Sequence, residues 1–330
     1  MKFSDVLDIR NGRNQCQVED ANGKYPIYGS GGVMGHATDF ICDAGTVVIG
    51  RKGSINNPIF VDEPFWNVDT AFGLVAHRDV LLPKYLYYFC VNFDFEQLNT
   101  TVTIPSLTKA NLLQIEINIP DLDEQRHVVS VLDKICRLAD LQQQELHNLN
   151  QLVKSRFIEL FIGKGYPTKT VDEVSLGKGE YGAQSASIEY DPTRPRYVRI
   201  TDINDDGTLN DDVVASINPD DDEQYRLEYG DFMFARMGAT VGKTYAFITG
   251  NQIFAGYLIR YKLNQKLINP RYLFWYTKLD EYWNWVKLNQ SGAAQPGINA
   301  KKYGSLRIPV PPIEQQEQFA AFVEQTDKSK

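Results

Sequence analysis

Three passages of this chain recur in the same order, and that duplication constrains the fold more than any other feature. Gly45-Thr46-Val47-Val48-Ile49-Gly50-Arg51-Lys52-Gly53 is matched by Gly230-Asp231-Phe232-Met233-Phe234-Ala235-Arg236-Met237-Gly238, each an apolar run delivering an Arg-x-Gly turn. Pro83-Lys84-Tyr85-Leu86-Tyr87-Tyr88-Phe89 is matched by Pro270-Arg271-Tyr272-Leu273-Phe274-Trp275-Tyr276, and Ile115-Glu116-Ile117-Asn118-Ile119-Pro120 by Leu306-Arg307-Ile308-Pro309-Val310-Pro311. The offsets of 185, 187 and 191 residues are nearly constant. A chain of 330 residues is long enough for two domains that each bury a core. Two like domains are the expectation.

Between the repeats the pattern takes the period of a long helix. It starts after Pro120 with Asp121 or Asp123 as the cap and stops at Gly163. Val128, Leu132, Ile135, Ala139, Gln142, Leu146, Leu149, Val153, Arg156 and Leu160 alternate at spacings of four and three, a seam for one partner helix with two polar interruptions. About 40 residues at 1.5 Å each make a rod on the order of 60 Å. Taken alone, such a helix is equally a domain linker or a homodimerising coiled coil. The second repeat also ends in Pro311-Pro312 and opens an amphipathic helix with Ile313, Phe319, Phe322 and Val323 on its apolar face. The predicted fold is therefore α+β. Strand-rich domains occupy 1–120 and 163–312, a spacer helix 121–162, and a shorter distal helix 313–330 packs antiparallel to it in a pseudo-twofold arrangement. With about 18 residues after Pro312, the distal helix covers only half of that seam.

Within the repeats, Gly45–Ile49, Phe72–Ala76, Gln114–Ile119, Tyr197–Ile203, Asp231–Ala235 and Tyr257–Leu263 read as strands between Gly, Asn, Asp and Pro turns. Helices are expected from Pro83 to about Asn92 and from Pro270 to about Leu288, each opening with proline.

Cys16, Cys42, Cys90 and Cys136 are scattered without paired spacing, so neither a zinc site nor a disulfide framework is indicated. No window approaches the roughly 18 apolar residues of a membrane span, and the N-terminus lacks a signal-peptide run. The expectation is a cytoplasmic protein without a membrane partner. The formal charge of −8 counts mildly against nucleic acid, which usually requires a basic footprint. Residues 201–228 hold 10 acids against the single cation Arg226, whereas the rest of 167–312 has 16 cations and 8 acids. The first repeat, 1–120, has 9 cations and 13 acids and offers no such relief.

Enzymatic motifs fail on spacing. Gly238-Ala239-Thr240-Val241-Gly242-Lys243-Thr244 has three residues between its glycines, where a phosphate-binding loop needs four. Asn57-Pro58-Ile59-Phe60 lacks the second proline of an amino-methyltransferase motif. Met34 occupies the last glycine position in Gly29-Ser30-Gly31-Gly32-Val33-Met34-Gly35. His36, His77, His127 and His147 show no metal-ligand spacing. No catalytic or metal residue is assigned.

The chain resembles the specificity subunits of type I restriction-modification systems. The resemblance is carried by Lys2-Phe3-Ser4-Asp5-Val6-Leu7-Asp8-Ile9-Arg10-Asn11-Gly12, by Gly50-Arg51-Lys52-Gly53-Ser54 with Phe65-Trp66-Asn67-Val68-Asp69-Thr70-Ala71-Phe72, and by Ile104-Pro105-Ser106-Leu107. In the second repeat it is carried by Tyr197-Val198-Arg199-Ile200-Thr201-Asp202-Ile203, Arg236-Met237-Gly238-Ala239-Thr240-Val241-Gly242-Lys243 and Gln295-Pro296-Gly297-Ile298. It implies two target recognition domains, each reading one half of a split sequence in double-stranded DNA. It further implies helices that set the gap and dock two methyltransferase subunits, with restriction subunits where a system carries them. S-adenosylmethionine and ATP with magnesium then belong to those partners, and this chain holds no cofactor. A related type II restriction-methylation system, or a two-domain scaffold that binds no DNA, remains the alternative.

Arg51 and Arg236 occupy the same place after a buried strand, where a turn can offer a guanidinium to a phosphate or bidentately to guanine. The same repetition also suits an arginine that braces its own domain through a buried carboxylate. Lys52 and Lys243 are candidate phosphate contacts. Asn14, Gln15, Asn56, Asn57, Gln184, Gln290 and Gln295 suit adenine readout, and Tyr28, Tyr181 and Tyr190 suit packing on sugars or bases, each being otherwise an ordinary loop residue. Glu124, Gln125, Arg126, Gln315, Gln316 and Gln318, at the starts of the two helices, are candidate partner contacts or a solvated face. If the long helix is a ruler, inserting or deleting one turn moves a domain by about 5.4 Å. Methylation assays on targets with altered spacers should then show a shifted spacer preference, and an unchanged preference would argue against the ruler.

Overall fold

The computed structural model describes residues 1–99, 105–218, 223–292 and 296–328. The chain divides into two compact units, Met1–Gln142 and Gln143–Lys330.

In the first unit the short helix α1 (Phe3–Val6) leads into β1 (Leu7–Asn11), followed by a hairpin of β2 (Tyr25–Gly29) and β3 (Gly32–Ala37). Then come β4 (Thr46–Gly50), β5 (Ile59–Val61), β6 (Trp66–Asn67), β7 (Ala71–Ala76), α2 (Pro83–Asn92) and α3 (Lys109–Leu112). The main sheet has the order β1-β7-β4-β5, and a smaller one runs β3-β2-β6. All five residues of β4 are buried. Successive side chains of a strand point to opposite faces, and here Val47 and Ile49 enter one core cluster while Val48 enters another. A strand covered on both faces needs the continuous apolar run seen in the sequence.

Helix α4 (Leu122–Phe161) continues from the first unit into the second. The Asp121 carboxylate caps it, accepting from the N–H groups of Asp123 and Glu124 at 3.0 and 2.9 Å. Gly163 follows its end at φ +72°.

The second unit contains β8 (Thr168–Thr170), β9 (Glu180–Tyr181), β10 (Arg196–Val198), β11 (Asp231–Ala235), β12 (Thr244–Ala246), β13 (Gln252–Phe254) and β14 (Leu258–Lys262). After them come α5 (Pro270–Tyr276), α6 (Asp280–Asn289), α7 (Ala300–Gly304), β15 (Arg307–Pro309) and α8 (Ile313–Asp327). Its main sheet, β9-β14-β11-β12, repeats the first. Ile49 opposite Phe72 becomes Phe234 opposite Ile259, and Asn11 opposite Phe72 becomes Tyr181 opposite Ile259. The duplication thus extends to hydrogen-bond register. Strand β11 repeats the two-faced burial, with Phe232 and Phe234 in one cluster and Met233 and Ala235 in another.

Helix α8 runs back along α4 within this unit. Phe319 packs on Phe157 and Phe161 with ring centroids 5.3 and 5.6 Å apart, while Val323 and Asp327 border the same cavity as Leu146 and Asn150. The buried face of α4 here is Val153, Phe157 and Phe161, with Leu160 half-buried against the same core, so of the expected seam residues Val153, Arg156 and Leu160 it is Arg156 that departs. Arg156 instead pairs with Glu159 on the surface. A helix packed against a globular core follows 3.6 residues per turn, so its face drifts from a 3.5-residue seam.

Three expected elements differ. The segment 114–119 carries only an isolated bridge, Lys2 with Glu116, in place of a strand. The strand expected at 197–203 ends at Val198, and a 3-10 turn over Ile200–Asp202 follows. The helix expected from Pro270 to Leu288 breaks between Tyr276 and Asp280. There the buried Thr277 hydroxyl lies 2.7 Å from Thr244 Oγ1, and Lys278 donates to the Asp205 carbonyl at 2.7 Å.

Gln125 and Gln316 correct the expectation of partner contact, because both are 0% exposed. Gln125 Oε1 accepts from Leu82 N at 2.8 Å, and its Nε2 donates to the carbonyls of Val80 and Pro120, each at 2.8 Å. Gln316 Oε1 accepts from Asn269 N at 2.9 Å, and its Nε2 donates to Leu267 and Pro311 at 3.0 and 2.8 Å. Each glutamine ties the first turn of α4 or α8 to the loop that opens α2 or α5, at repeat-equivalent positions. Replacing either by alanine removes three hydrogen bonds from partly buried backbone groups, each costing about 1–3 kcal/mol where water cannot replace it. Gln125→Ala and Gln316→Ala should each destabilise their own unit by about 3 kcal/mol in denaturant unfolding, and a loss below about 1 kcal/mol would refute the clamp.

Candidate nucleic-acid interface

Both Arg-x-Gly turns are built by the same three backbone hydrogen bonds. Arg51 N donates to Thr70 O at 2.8 Å, Leu107 N to Arg51 O at 2.9 Å, and Gly53 N to Pro105 O at 3.1 Å. Arg236 N donates to Tyr257 O at 3.0 Å, Ile298 N to Arg236 O at 2.9 Å, and Gly238 N to Pro296 O at 2.9 Å. The glycines sit at φ +79° and +70°, a region that glycine adopts without steric cost. The Arg51 guanidinium lies 5.7 Å from the Phe72 ring centroid, and that of Arg236 lies 4.7 Å from Tyr181. Among the described residues neither pairs with a carboxylate, so the bracing alternative does not hold for them. A buried brace exists elsewhere. Arg260, 3% exposed, pairs with buried Asp231 at 3.4 Å and with Glu180. Burial pushes the Asp231 carboxyl above its ordinary pKa.

Asn14 and Gln184 also prove equivalent. Each follows by two residues a glycine pressed against backbone. A Cβ at Gly12 would lie 1.7 Å from Val68 O, and one at Gly182 would lie 2.4 Å from Ala255 O. Asn14 is exposed and its oxygen accepts from Cys16 N at 2.8 Å. Gln184 is exposed and donates to Gly182 O at 3.3 Å. Its amide lies over Gly256, beside the Tyr257 carbonyl that holds Arg236. The second unit therefore gathers Arg236, Tyr181, Tyr257 and Gln184. Exposed Gln290 joins them through Ser291, which exchanges two 3.0 Å hydrogen bonds with Gly297.

Other candidates are placed differently. Lys52 and Asn57 are exposed beside the Arg51 turn. Asn56 is spent locally, donating to Asp94 Oδ1 at 2.8 Å and accepting from Phe95 N at 2.6 Å, so it is a loop clamp and not a free reader. Lys243 pairs with Asp205 at 2.7 Å and donates to Ile203 O at 3.2 Å, which holds the Asp205 carboxyl below its usual range. Gln15 is half-buried and Tyr28 packs edge-on against Phe65, its hydroxyl pKa raised by burial. Tyr190 is exposed. Gln295 lies outside the described residues.

Arg10 and Arg13 were missed. With Asn11, Phe40, Ile41 and Asp43 they line a polar cleft of about 610 Å³ on the loop that carries Asn14. Their signal was their place on either side of Gly12, hidden inside a run read only as a resemblance. Of the helix residues, Glu124, Arg126, Gln315 and Gln318 are exposed. Arg126 pairs with Asp123, and Gln315 Oε1 accepts from Tyr166 at 2.6 Å. Among the described residues, no group of three or more His, Cys, Asp or Glu could hold a metal ion, and no helix is long and apolar enough to cross a membrane.

Comparison with known proteins matches the model of the type I restriction modification DNA specificity domain to residues 1–151 and 169–330. The chain is 22% identical to a putative type I restriction enzyme specificity subunit from Haemophilus influenzae, covering 92% of this chain and 80% of that one. It is 18% identical to the EcoDI specificity subunit of Escherichia coli, covering 98% and 80%. The crystal structure of a type I restriction-modification S subunit from M. genitalium shares the fold with a TM-score of 0.65 and 17% identity, over 100% of this chain and 89% of that one.

Because neither guanidinium pairs with a carboxylate among the described residues, Arg51→Ala and Arg236→Ala should lose only a ring contact and change stability by no more than about 1 kcal/mol. Arg260→Ala leaves Asp231 buried without its cation and should cost about 3–5 kcal/mol. Thermal unfolding of the three variants distinguishes Arg51 and Arg236 from a structural brace, and equal losses would contradict the assignment.

Proposed function

The chain belongs to the type I restriction-modification DNA specificity family, and on that premise we propose that each unit reads one half of a bipartite DNA target for a methyltransferase carried by partner subunits. The observation that carries this reading is the pair of identically hydrogen-bonded turns, each presenting a guanidinium that no carboxylate among the described residues neutralises. A fixed backbone with a guanidinium not spent on a carboxylate suits bidentate recognition of guanine or a phosphate. Asn14 and Gln184, at equivalent loop positions, are the amides best placed for adenine edges. Lys52, Arg10 and Arg13 supply phosphate contacts in the first unit, where the overall balance is acidic. In the second unit Lys243 joins when Asp205 yields to a phosphate, since that carboxylate is almost fully exposed and an exposed pair is worth little.

The long helix acts as the spacer between half-sites about one duplex turn apart. Glu124, Arg126, Gln315 and Gln318 form the contact surface for methyltransferase subunits, two in number, with restriction subunits where the system has them. Methyl transfer from S-adenosylmethionine and any ATP- and magnesium-dependent step belong to those partners, and this chain performs no catalysis. Such a complex works in the cytoplasm of a prokaryote.

Sequencing of methylated bases in cells that co-express the chain with its modification subunit tests the reading. The unsubstituted chain should yield a split motif. Arg51→Ala should relax one half of it and Arg236→Ala the other, each by about 1–3 kcal/mol of discrimination. Both variants altering the same half, or no motif appearing, would overturn the proposal.

A further inference from the structure

The second unit contains a half-open cavity of about 760 Å³ lined by α4, α5, α8, β12 with the segment after it, and the turn at 206–208. That lies inside the roughly 300–1,000 Å³ typical of small-molecule sites. Its walls are largely apolar, with Tyr245, Ile248, Phe274, Trp275 and Val323, and it shares no lining residue with the Arg236 turn. Lys154 reaches it from α4, Arg271 from α5 and Lys278 from the turn between α5 and α6. Lys154 pairs with Asp280 at 3.3 Å. Lys278 packs 4.4 Å from the Phe274 ring centroid, and burial pushes its pKa down to about 8.

Arg271 differs from both. Its guanidinium makes no hydrogen bond among the described residues, and its Nη1 is buried. The internal repeat supplies a control. Arg271 corresponds to Lys84, whose Nζ donates to both oxygens of Asp133 at 2.9 and 2.8 Å. The counterpart of Asp133 is Glu324, which pairs instead with Lys328 at 3.1 Å. The first unit satisfies this cation internally, while in the second the guanidinium has no hydrogen bond or contact ion pair among the described residues, with Glu324 acting on it only through space. Asp206 and Asp327 also border the space, and Asp206 is committed to the N–H and hydroxyl of Thr208 at 2.9 and 2.6 Å.

We propose that this cavity binds a small anion on a flat apolar body, a carboxylate or phosphate monoester of an aromatic compound, with Arg271 gripping the anion and Phe274, Trp275 and Tyr245 covering the ring. A guanidinium matches either anion with two parallel hydrogen bonds, and aromatic walls favour a planar body. The site is independent of the DNA reading.

Calorimetric titration of the full chain with adenosine 5′-monophosphate, indole-3-acetate, adenosine and inorganic phosphate tests it. One of the first two should saturate a single site, and which one does so tells phosphate from carboxylate. Adenosine and inorganic phosphate, each lacking half of the ligand, should bind at least tenfold more weakly. Arg271→Met should weaken binding tenfold or more, and Arg271→Lys should recover part of it, with melting temperature and DNA affinity unchanged in both. Absence of saturable binding by both aromatic anions, or affinity that Arg271→Met leaves intact, would overturn the proposal.

Discussion

A buried carboxamide at the root of each helix is the constraint on which the rest of this molecule depends. Gln125 and Gln316 each hydrogen-bond one backbone N–H and two carbonyls at the root of their helix. No apolar residue could do this, and asparagine is one methylene shorter. Because the three partners come from two separate segments, the full set of hydrogen bonds forms only when the helix start, the preceding proline and the loop before α2 or α5 are all in place. It therefore fixes how α4 and α8 leave their own sheets. A tyrosine in each unit adds to the joint, Tyr85 donating to Asn118 O at 3.2 Å and Tyr272 to Pro309 O at 2.9 Å.

Around that joint, one design is used twice and then diverges. Sheet order, register and the three hydrogen bonds of the Arg-x-Gly turn are shared. The divergence is electrostatic. The second unit carries the acid-rich stretch after Thr201 and holds it down with cations. Lys243 takes the Asp205 carboxylate, Lys278 takes its carbonyl, and Arg260 takes the carbonyls of Gln224 and Arg226. In the free chain those cations are engaged internally, which is why net charge is a poor guide to what the surface offers. Arg51 and Arg236 escape this neutralisation, and the functional reading rests on them.

Much of this was legible in the amino-acid order, and the failures have physical causes. Strand β11 falls where expected because a doubly covered strand needs an unbroken apolar run, and α2 because proline marks its first turn. The long helix could be placed because Asp121 and Gly163 carry its end signals. The glutamine clamps were misread because a polar residue in the first turn of a helix looks solvated, and only the backbone it meets reveals the burial. The seam of α4 was drawn for a two-helix contact, whereas its second half packs on aromatic side chains of a globular core. Asn56 looked like a free amide because its partners, Asp94 and Phe95, lie some 40 residues away. The equivalence of Asn14 and Gln184 emerged only from sheet register, since the residues around them share almost nothing.

Hydrogen exchange at the backbone N–H groups of Leu82 and Asn269 tests the central claim most directly. If the glutamine amides anchor the helices, both protons exchange only when their own unit unfolds. Gln125→Ala should then speed exchange at Leu82 on the order of 100-fold while leaving Asn269 protected. Exchange of Leu82 at the rate of a surface amide in the unsubstituted chain would contradict the account.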